Sequence, residues 1–193
     1  MNIKSIAYGC LLLVAGCSLP DQERNIAEKD NSYRALGTYC WDEIARLKSQ
    51  QLRVTKVVRM NGQADSAAVR DSAGLEALFR PLMDADVSKP SLADAYDTDT
   101  IVDQFAGSDT TFILQSRGKQ TNPYQLILDV DGQGRIKTAR VTSYTTNLVY
   151  EYRQEVLYER SKQLRVNTYQ KIIFLKPEHL EVQTWFHPAK EQI

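Results

Sequence analysis

Asp84, Asp86, Asp94, Asp97 and Asp99 fall within one short stretch of the chain. Carboxylates so gathered can bind a cation, or serve as an acid–base pair when their environments push their pKa values apart. The stretch reads equally well as a solvated acidic loop, because spacing along the chain does not decide convergence in space. Asp129-Val130-Asp131-Gly132-Gln133-Gly134 has the outline of half a calcium loop. A complete loop ends in a bidentate glutamate at its twelfth position, and here Arg140 stands there, so a hairpin turn is expected instead. His179 and His187 are separated by about 26 Å of extended chain, too far to share a metal, and neither lies near a nucleophile-elbow motif. One internal cysteine, Cys40, and two distant histidines build no metal framework. No metal and no cofactor are expected, and no catalytic residue is assigned. An enzyme would need the acidic cluster to meet Arg or His in a cleft.

The aromatic residues are the other chemical resource. Tyr124, Tyr144, Tyr150, Tyr152, Tyr158, Tyr169, Trp185 and Phe186 are dense in the second half of the chain. Core packing accounts for such a set. An amphipathic pocket for an apolar ligand is the functional alternative, since tyrosine gives area and a polar handle together. Tyr124, Tyr150, Tyr152 and Trp185 are the residues expected to line it.

The N-terminus carries the most specific signal. Lys4 precedes an apolar stretch, Ile6 to Val14, which is interrupted by Gly9 and followed by Ala15-Gly16-Cys17. The stretch is far shorter than the roughly 20 apolar residues of a spanning helix, and it follows signal-peptide grammar. Val14-Ala15-Gly16-Cys17 resembles the lipobox of bacterial lipoproteins. That resemblance implies cleavage before Cys17 and an acylated N-terminus there, with fatty chains such as palmitate. Cys10 fits less well, because bulky Tyr8 precedes it. The resemblance also implies the outer membrane, since Ser18 occupies the place where aspartate directs inner-membrane retention. Asp21 and Glu23 hint at the acidic tags of surface lipoproteins. The domain could face the periplasm or the exterior.

Composition narrows the field further. The chain has 24 basic and 24 acidic residues, so there is no electrostatic footprint for nucleic acid. Without residues 1–16 the chain is long enough for one domain that buries about 70% of its surface. With Cys17 acylated, Cys40 has no partner for a disulfide and reads as a small buried hydrophobe. Residues 17–30 read as a polar tether and residues 31–193 as a single domain.

Periodicity supplies the elements that must position these residues. Ser32 could cap a helix running to about Ser49, with Tyr33, Leu36, Cys40, Ile44 and Leu47 on one stripe and Trp41 widening it. Leu52 to Met60 is rich in β-branched residues, Asn61-Gly62 is a strong hairpin signal, and Gln63 to Val69 would return. Continuation of the first helix is the competing reading. A second helix follows, capped by Asp71 or Ser72, with Leu75, Leu78, Phe79, Leu82, Met83 and Val87 on one face. Pro81 should kink or split it, and Lys89-Pro90 should end it. Ser91 and Asp94 allow a short further turn around Leu92.

From Thr100 the pattern becomes strand. Phe112 to Leu114, Tyr124 to Val130, Ile136 to Tyr144, Asn147 to Glu159, Leu164 to Phe174 and Leu180 to Phe186 are separated by short turns, which makes neighbours antiparallel. The expected class is α+β: N-terminal helices packed on the concave face of a curved antiparallel β-meander of about six strands.

A second resemblance spans Tyr39 to Thr100. Trp41-Asp42-Glu43-Ile44, Val54-Thr55-Lys56-Val57 with Asn61-Gly62, Leu75 to Met83, and Asp84 to Pro90 are similar to a pattern in uncharacterised lipoproteins of Bacteroidota. Asn147-Leu148-Val149-Tyr150 also fits, while Pro81 is unusual for the pattern. This resemblance brings no function with it. Anchor and composition together lead to a non-catalytic outer-membrane lipoprotein that binds another envelope protein or supports an assembly, held to the membrane by its N-terminal lipid. The alternative is a periplasmic carrier with a lipid or other apolar ligand between sheet and helices. A curved sheet under helices is similar in architecture to the periplasmic lipoprotein chaperones.

Overall fold

The computed structural model describes residues 35–92, 94–103, 109–118 and 121–188. Helix α1 (Leu36–Ser49) leads into the hairpin β1 (Arg53–Met60) and β2 (Gln63–Val69), followed by helix α2 (Ser72–Asp84) and a 3₁₀ turn at Pro90–Leu92. Seven strands then run in succession: β3 (Tyr96–Asp103), β4 (Asp109–Ser116), β5 (Gln125–Val130), β6 (Ile136–Thr146), β7 (Tyr150–Glu159), β8 (Gln163–Ile172) and β9 (Glu178–His187). The proposed cap at Ser32, together with Tyr33, the signal and the tether, lies outside the described residues.

All nine strands belong to one antiparallel sheet in the order β2-β1-β9-β8-β7-β6-β5-β4-β3. The class is α+β as expected, but the strand count among the described residues is nine rather than about six. The six meander strands read from the sequence are β4 to β9, and two features add the remaining three. The N-terminal hairpin joins the same sheet, because β1 pairs with β9 from Arg53↔His187 to Met60↔Leu180. The acidic stretch supplies a further strand, β3, along the outer side of β4. Only Tyr96 of β3 is buried, and every later residue of the strand is exposed. An edge strand so exposed has no apolar alternation for a sequence to display.

The turns form where local chemistry permits them. Asn61 and Gly62 both take positive φ, 48° and 88°, the geometry of a two-residue hairpin turn whose twist matches its strands. This settles the choice between hairpin and continued helix. Asp71 caps α2 by accepting a hydrogen bond from the Gly74 amide at 3.0 Å. The helix runs to Asp84 with Pro81 inside it, so of the expected kink or split, the split does not occur. Pro81 lies in the last turns, where it removes one backbone bond, and the buried Leu78, Phe79 and Leu82 around it keep the segment on the core. The helix nevertheless ends before Lys89-Pro90. Val87 reaches the core from beyond its end.

One face of the sheet meets the helices. Leu126, Leu128 and Val130 of β5, Val156 and Tyr158 of β7, and Leu164 and Val166 of β8 alternate along their strands and are buried. Phe79 of α2 sits between Tyr158 and Phe186, with ring centroids 5.8 and 6.1 Å away. From α1 come Leu36, Cys40, Ile44 and Leu47. Trp41, expected to widen that stripe, is 52% exposed. Its place is taken by Glu43, a charged residue that the core accommodates with partners. Gly37 lies at a close approach: a Cβ there would come 2.8 Å from Asp86 Oδ2, the oxygen that accepts the Gly37 amide hydrogen bond.

Phe79→Ala therefore removes the ring that joins α2 to two strands and should cost about 3–5 kcal/mol of unfolding free energy. Trp41→Ser should change stability by less than about 0.5 kcal/mol. Urea unfolding followed by circular dichroism measures both, and comparable losses would contradict this core.

Candidate functional site

The five aspartates do not form a site. Asp86 accepts hydrogen bonds from the Gly37 amide through Oδ2 and from the Ser88 amide and hydroxyl through Oδ1. Asp97 pairs with Arg117 at 2.7 Å, and the Arg117 guanidinium also donates to the Asp94 carbonyl. Asp84 ends α2, while Asp97 and Asp99 lie on the edge strand β3. Charge on an edge strand hinders pairing with a second sheet, so a structural role accounts for these positions.

The calcium-like segment is a hairpin turn. Asp131 Oδ1 accepts from the amides of Gln133 and Arg135, and its Oδ2 pairs with the Arg135 side chain. These bonds hold the Asp131 carboxyl below the usual range, against the opposing effect of burial. Asp129 accepts from Thr111 and Thr138 on the two neighbouring strands. Among the described residues, no group of three or more His, Cys, Asp or Glu is placed to hold a metal ion. His187 is at the far end of β9 from His179. His179 stacks obliquely on Tyr169, with centroids 4.9 Å apart. Burial, helped by the charges of Asp86 and Glu43, pushes the Cys40 thiol up to about 12, which leaves it inert as a nucleophile.

The four residues expected to line a ligand pocket are dispersed. Tyr150 and Tyr152 are neighbours on β7, stacked at 6.3 Å, on the face that carries Val156 and Tyr158 farther along the strand. Tyr124 precedes β5, is 47% exposed, and donates its amide to the Thr142 carbonyl. Trp185 is on the opposite face, alternating with the buried Thr184 and Phe186. No single pocket collects the four.

Sequence reasoning missed a buried polar cluster around Glu43. Glu43 is 2% exposed. Arg46, three residues on in α1, grips it through Nε to Oε2 at 2.8 Å and Nη2 to Oε1 at 2.6 Å. The Tyr158 hydroxyl, from β7, donates to Oε1 at 2.5 Å, and Arg160 Nε lies 3.7 Å from Oε2. The Tyr39 hydroxyl stands 3.0 Å from the Ile136 carbonyl oxygen and 3.2 Å from the Tyr158 hydroxyl. Burial opposes ionisation of Glu43, but the bonds from Arg46 and Tyr158 and the charges of Arg46 and Arg160 outweigh it, so the carboxyl lies below its usual range. Burial pushes Tyr39 up to about 12 and Tyr158 higher still. Both phenols therefore stay protonated as donors. The only available signal was Glu43 at the third position before Arg46, on the stripe side of α1.

The opposite face of the sheet is polar and open. Arg59, Arg153, Glu155, Asn167, Tyr169 and His179 line a depression of about 560 Å³. A second opening of about 380 Å³ shares Glu155 and Asn167 and adds Arg140, Thr142 and Arg165. The Nε of Arg165 is buried without a partner. Guanidinium, carboxylate and amide groups alternate along this trough, an arrangement suited to a polar, charged partner. It is the candidate binding site. Among the described residues, no helix is long and apolar enough to cross a membrane.

Glu43 gives the fold a definite pH signature. A carboxyl lowered in the folded state stabilises fully above its unfolded pKa, and that contribution is lost as pH falls through the folded value. Glu43→Ala should therefore lower stability at neutral pH by about 2–4 kcal/mol, toward the smaller figure because the partly exposed Arg46 can turn to water. Stability of the variant should also fall less steeply below about pH 4. Urea midpoints between pH 3 and 7 test this, and parallel curves for the two proteins would refute it.

No protein-family model, curated protein or solved structure matches this chain.

Proposed function

We propose that this chain is a non-catalytic, lipid-anchored protein of the bacterial outer membrane, acylated on Cys17, whose body binds another envelope protein or supports an assembly. The observation that carries the reading is Val14-Ala15-Gly16-Cys17 behind a short apolar run. Asp86 caps a turn and Asp97 and Asp99 charge a sheet edge, while the polar trough offers guanidinium, carboxylate and amide groups for binding. A partner of mixed charge would lie across Arg153, Glu155 and Asn167.

The alternative, a carrier with an apolar ligand between sheet and helices, draws less support. Leu36, Cys40, Leu47, Phe79 and Leu82 are all at most 1% exposed in that layer.

Metabolic labelling with palmitate should tag the wild-type chain and not Cys17→Ala, and the variant should shift from the membrane to the soluble fraction. Mass measurement of the extracted protein should place the mature N-terminus at Cys17. An unmodified chain that begins elsewhere would overturn the reading. Charge reversal at Arg153 and Glu155 should abolish recovery of the envelope partner at unchanged thermal stability; undiminished recovery would move the binding site off the trough.

A further inference from the structure

We propose that two adjacent hairpin turns at one end of the sheet insert into a lipid bilayer, a membrane contact made by the polypeptide and separate from any acyl chain. The β6–β7 turn exposes Leu148 at 97% and Val149 at 54%, and the β8–β9 turn exposes Ile173 at 45%, Phe174 at 97% and Leu175 at 62%. The Ile173 amide donates to the Val149 carbonyl at 2.9 Å, so the two turns form one tip. Isolated exposed apolar residues are ordinary on a protein surface, but a contiguous group marks an interaction site.

Phe174 supplies a second, independent observation. Its φ is +67°, in the left-handed region that glycine favours and a bulky side chain adopts at a cost. The side chain is almost fully exposed, so packing offsets none of that strain. Folding alone gives no reason for an aromatic residue here, and a strained exposed position points to function.

The surroundings favour a bilayer over a protein pocket. The tip is made of two turns whose apolar side chains are exposed, and tyrosines are grouped behind it. Tyr150 pairs with Ile172 in register and Tyr152 with Gln170. Tyr144 stands opposite Arg153, and Tyr169 opposite His179. Tyrosine settles at the headgroup level, where its ring is half apolar and its hydroxyl wet. Lys171 and Lys176 flank the apolar run, but Glu151 faces Lys171 across the ladder and Glu178 follows. The charges balance, so entry into the bilayer is driven by apolar burial and should depend little on lipid charge or salt. Insertion of the tip does not rest on acylation at Cys17.

The native tryptophans serve as an internal reference, since Trp185 lies near the end of β9 farthest from the tip and Trp41 is on α1. Leu148→Trp and Phe174→Trp, made one at a time in the full chain, are bound to phosphatidylcholine vesicles with brominated acyl chains, with and without phosphatidylglycerol. The added tryptophan should be quenched more than the native pair, to similar extents on both lipids and at raised salt. Adding Phe174→Gly and Leu175→Ser to the Leu148→Trp protein should abolish the excess quenching, and Phe174→Gly alone should raise the melting temperature. Equal quenching of added and native tryptophans on bound protein would overturn the proposal. So would a fall in melting temperature with Phe174→Gly, or lipid-free, concentration-dependent shielding from acrylamide, which would indicate a second copy at the tip. Cys17→Ala in the same background should change how much protein the vesicles of a membrane extract retain, but not the quenching of what is bound. The failure of acylation and the failure of insertion are thus separate results.

Discussion

The Glu43 carboxylate, buried where α1 crosses β7, is the constraint on which the helical layer depends. A charge removed from water is tolerated only when its lone pairs are occupied. Arg46 occupies one side of it as a fork, Tyr158 supplies a hydroxyl from the sheet, and Arg160 contributes charge from the end of β7. Leucines could slide against the strands by part of a residue at modest cost. This set of bonds cannot, because each has a direction and a short range. The cluster thereby sets the position of α1 over β7, and with it the seating of Leu36, Cys40 and Leu47. Tyr158 serves both layers, since its hydroxyl holds Glu43 while its ring touches Phe79 and Tyr39.

The pairing of β1 with β9 has a related consequence. β1, which pairs with β9, has only β2 on its other side, and β2 is exposed along nearly its whole length. Two strands alone have marginal stability in water, so the hairpin depends on β9, far along the chain. β9 in turn closes the series that begins at β3. The polar trough draws residues from β1, β7, β8 and β9 and therefore exists only once that long-range pairing is made. Arg59 comes from the first strand and His179 from the last, and their proximity was not visible in any local pattern.

What the sequence revealed, and what it concealed, follows from which physical signals are local. Six meander strands were legible because alternation such as Leu126, Leu128 and Val130 has one buried face to write it. The β1–β2 turn was legible because positive φ selects Asn61-Gly62. β3 was not, since an exposed edge strand leaves no alternation, and its aspartates resembled a cation site. Glu43 was hidden because a carboxylate is ordinarily a surface residue, and only the distant Tyr158 makes it internal. Trp41 was misplaced for the opposite reason, an apolar side chain being added to the buried stripe by its type while the fold exposes it, and Phe174, read as the end of a strand, lies in the turn beyond β8. Of the four aromatic residues assigned to a pocket, Tyr150 and Tyr152 share a face because their separation is two residues. Trp185 could not be placed without knowing the register of β9.

These misplacements are unequal in meaning. Trp41 is half exposed on an amphipathic helix, where some apolar surface is normal. Phe174 combines near-complete exposure with a backbone conformation adverse to its type, and its neighbours Ile173 and Leu175 are exposed with it. The two ends of the sheet thus differ in kind. At the helical end, even a charged residue is drawn inward and fully bonded; at the other, aliphatic and aromatic groups are turned outward on tight turns that already have their backbone bonds, Ile173 to Val149 and Leu175 to Ile172. For the proposed insertion, turns whose backbone bonds are already made need less ordering on entering an apolar phase, which lowers the usual entropic cost of such contacts.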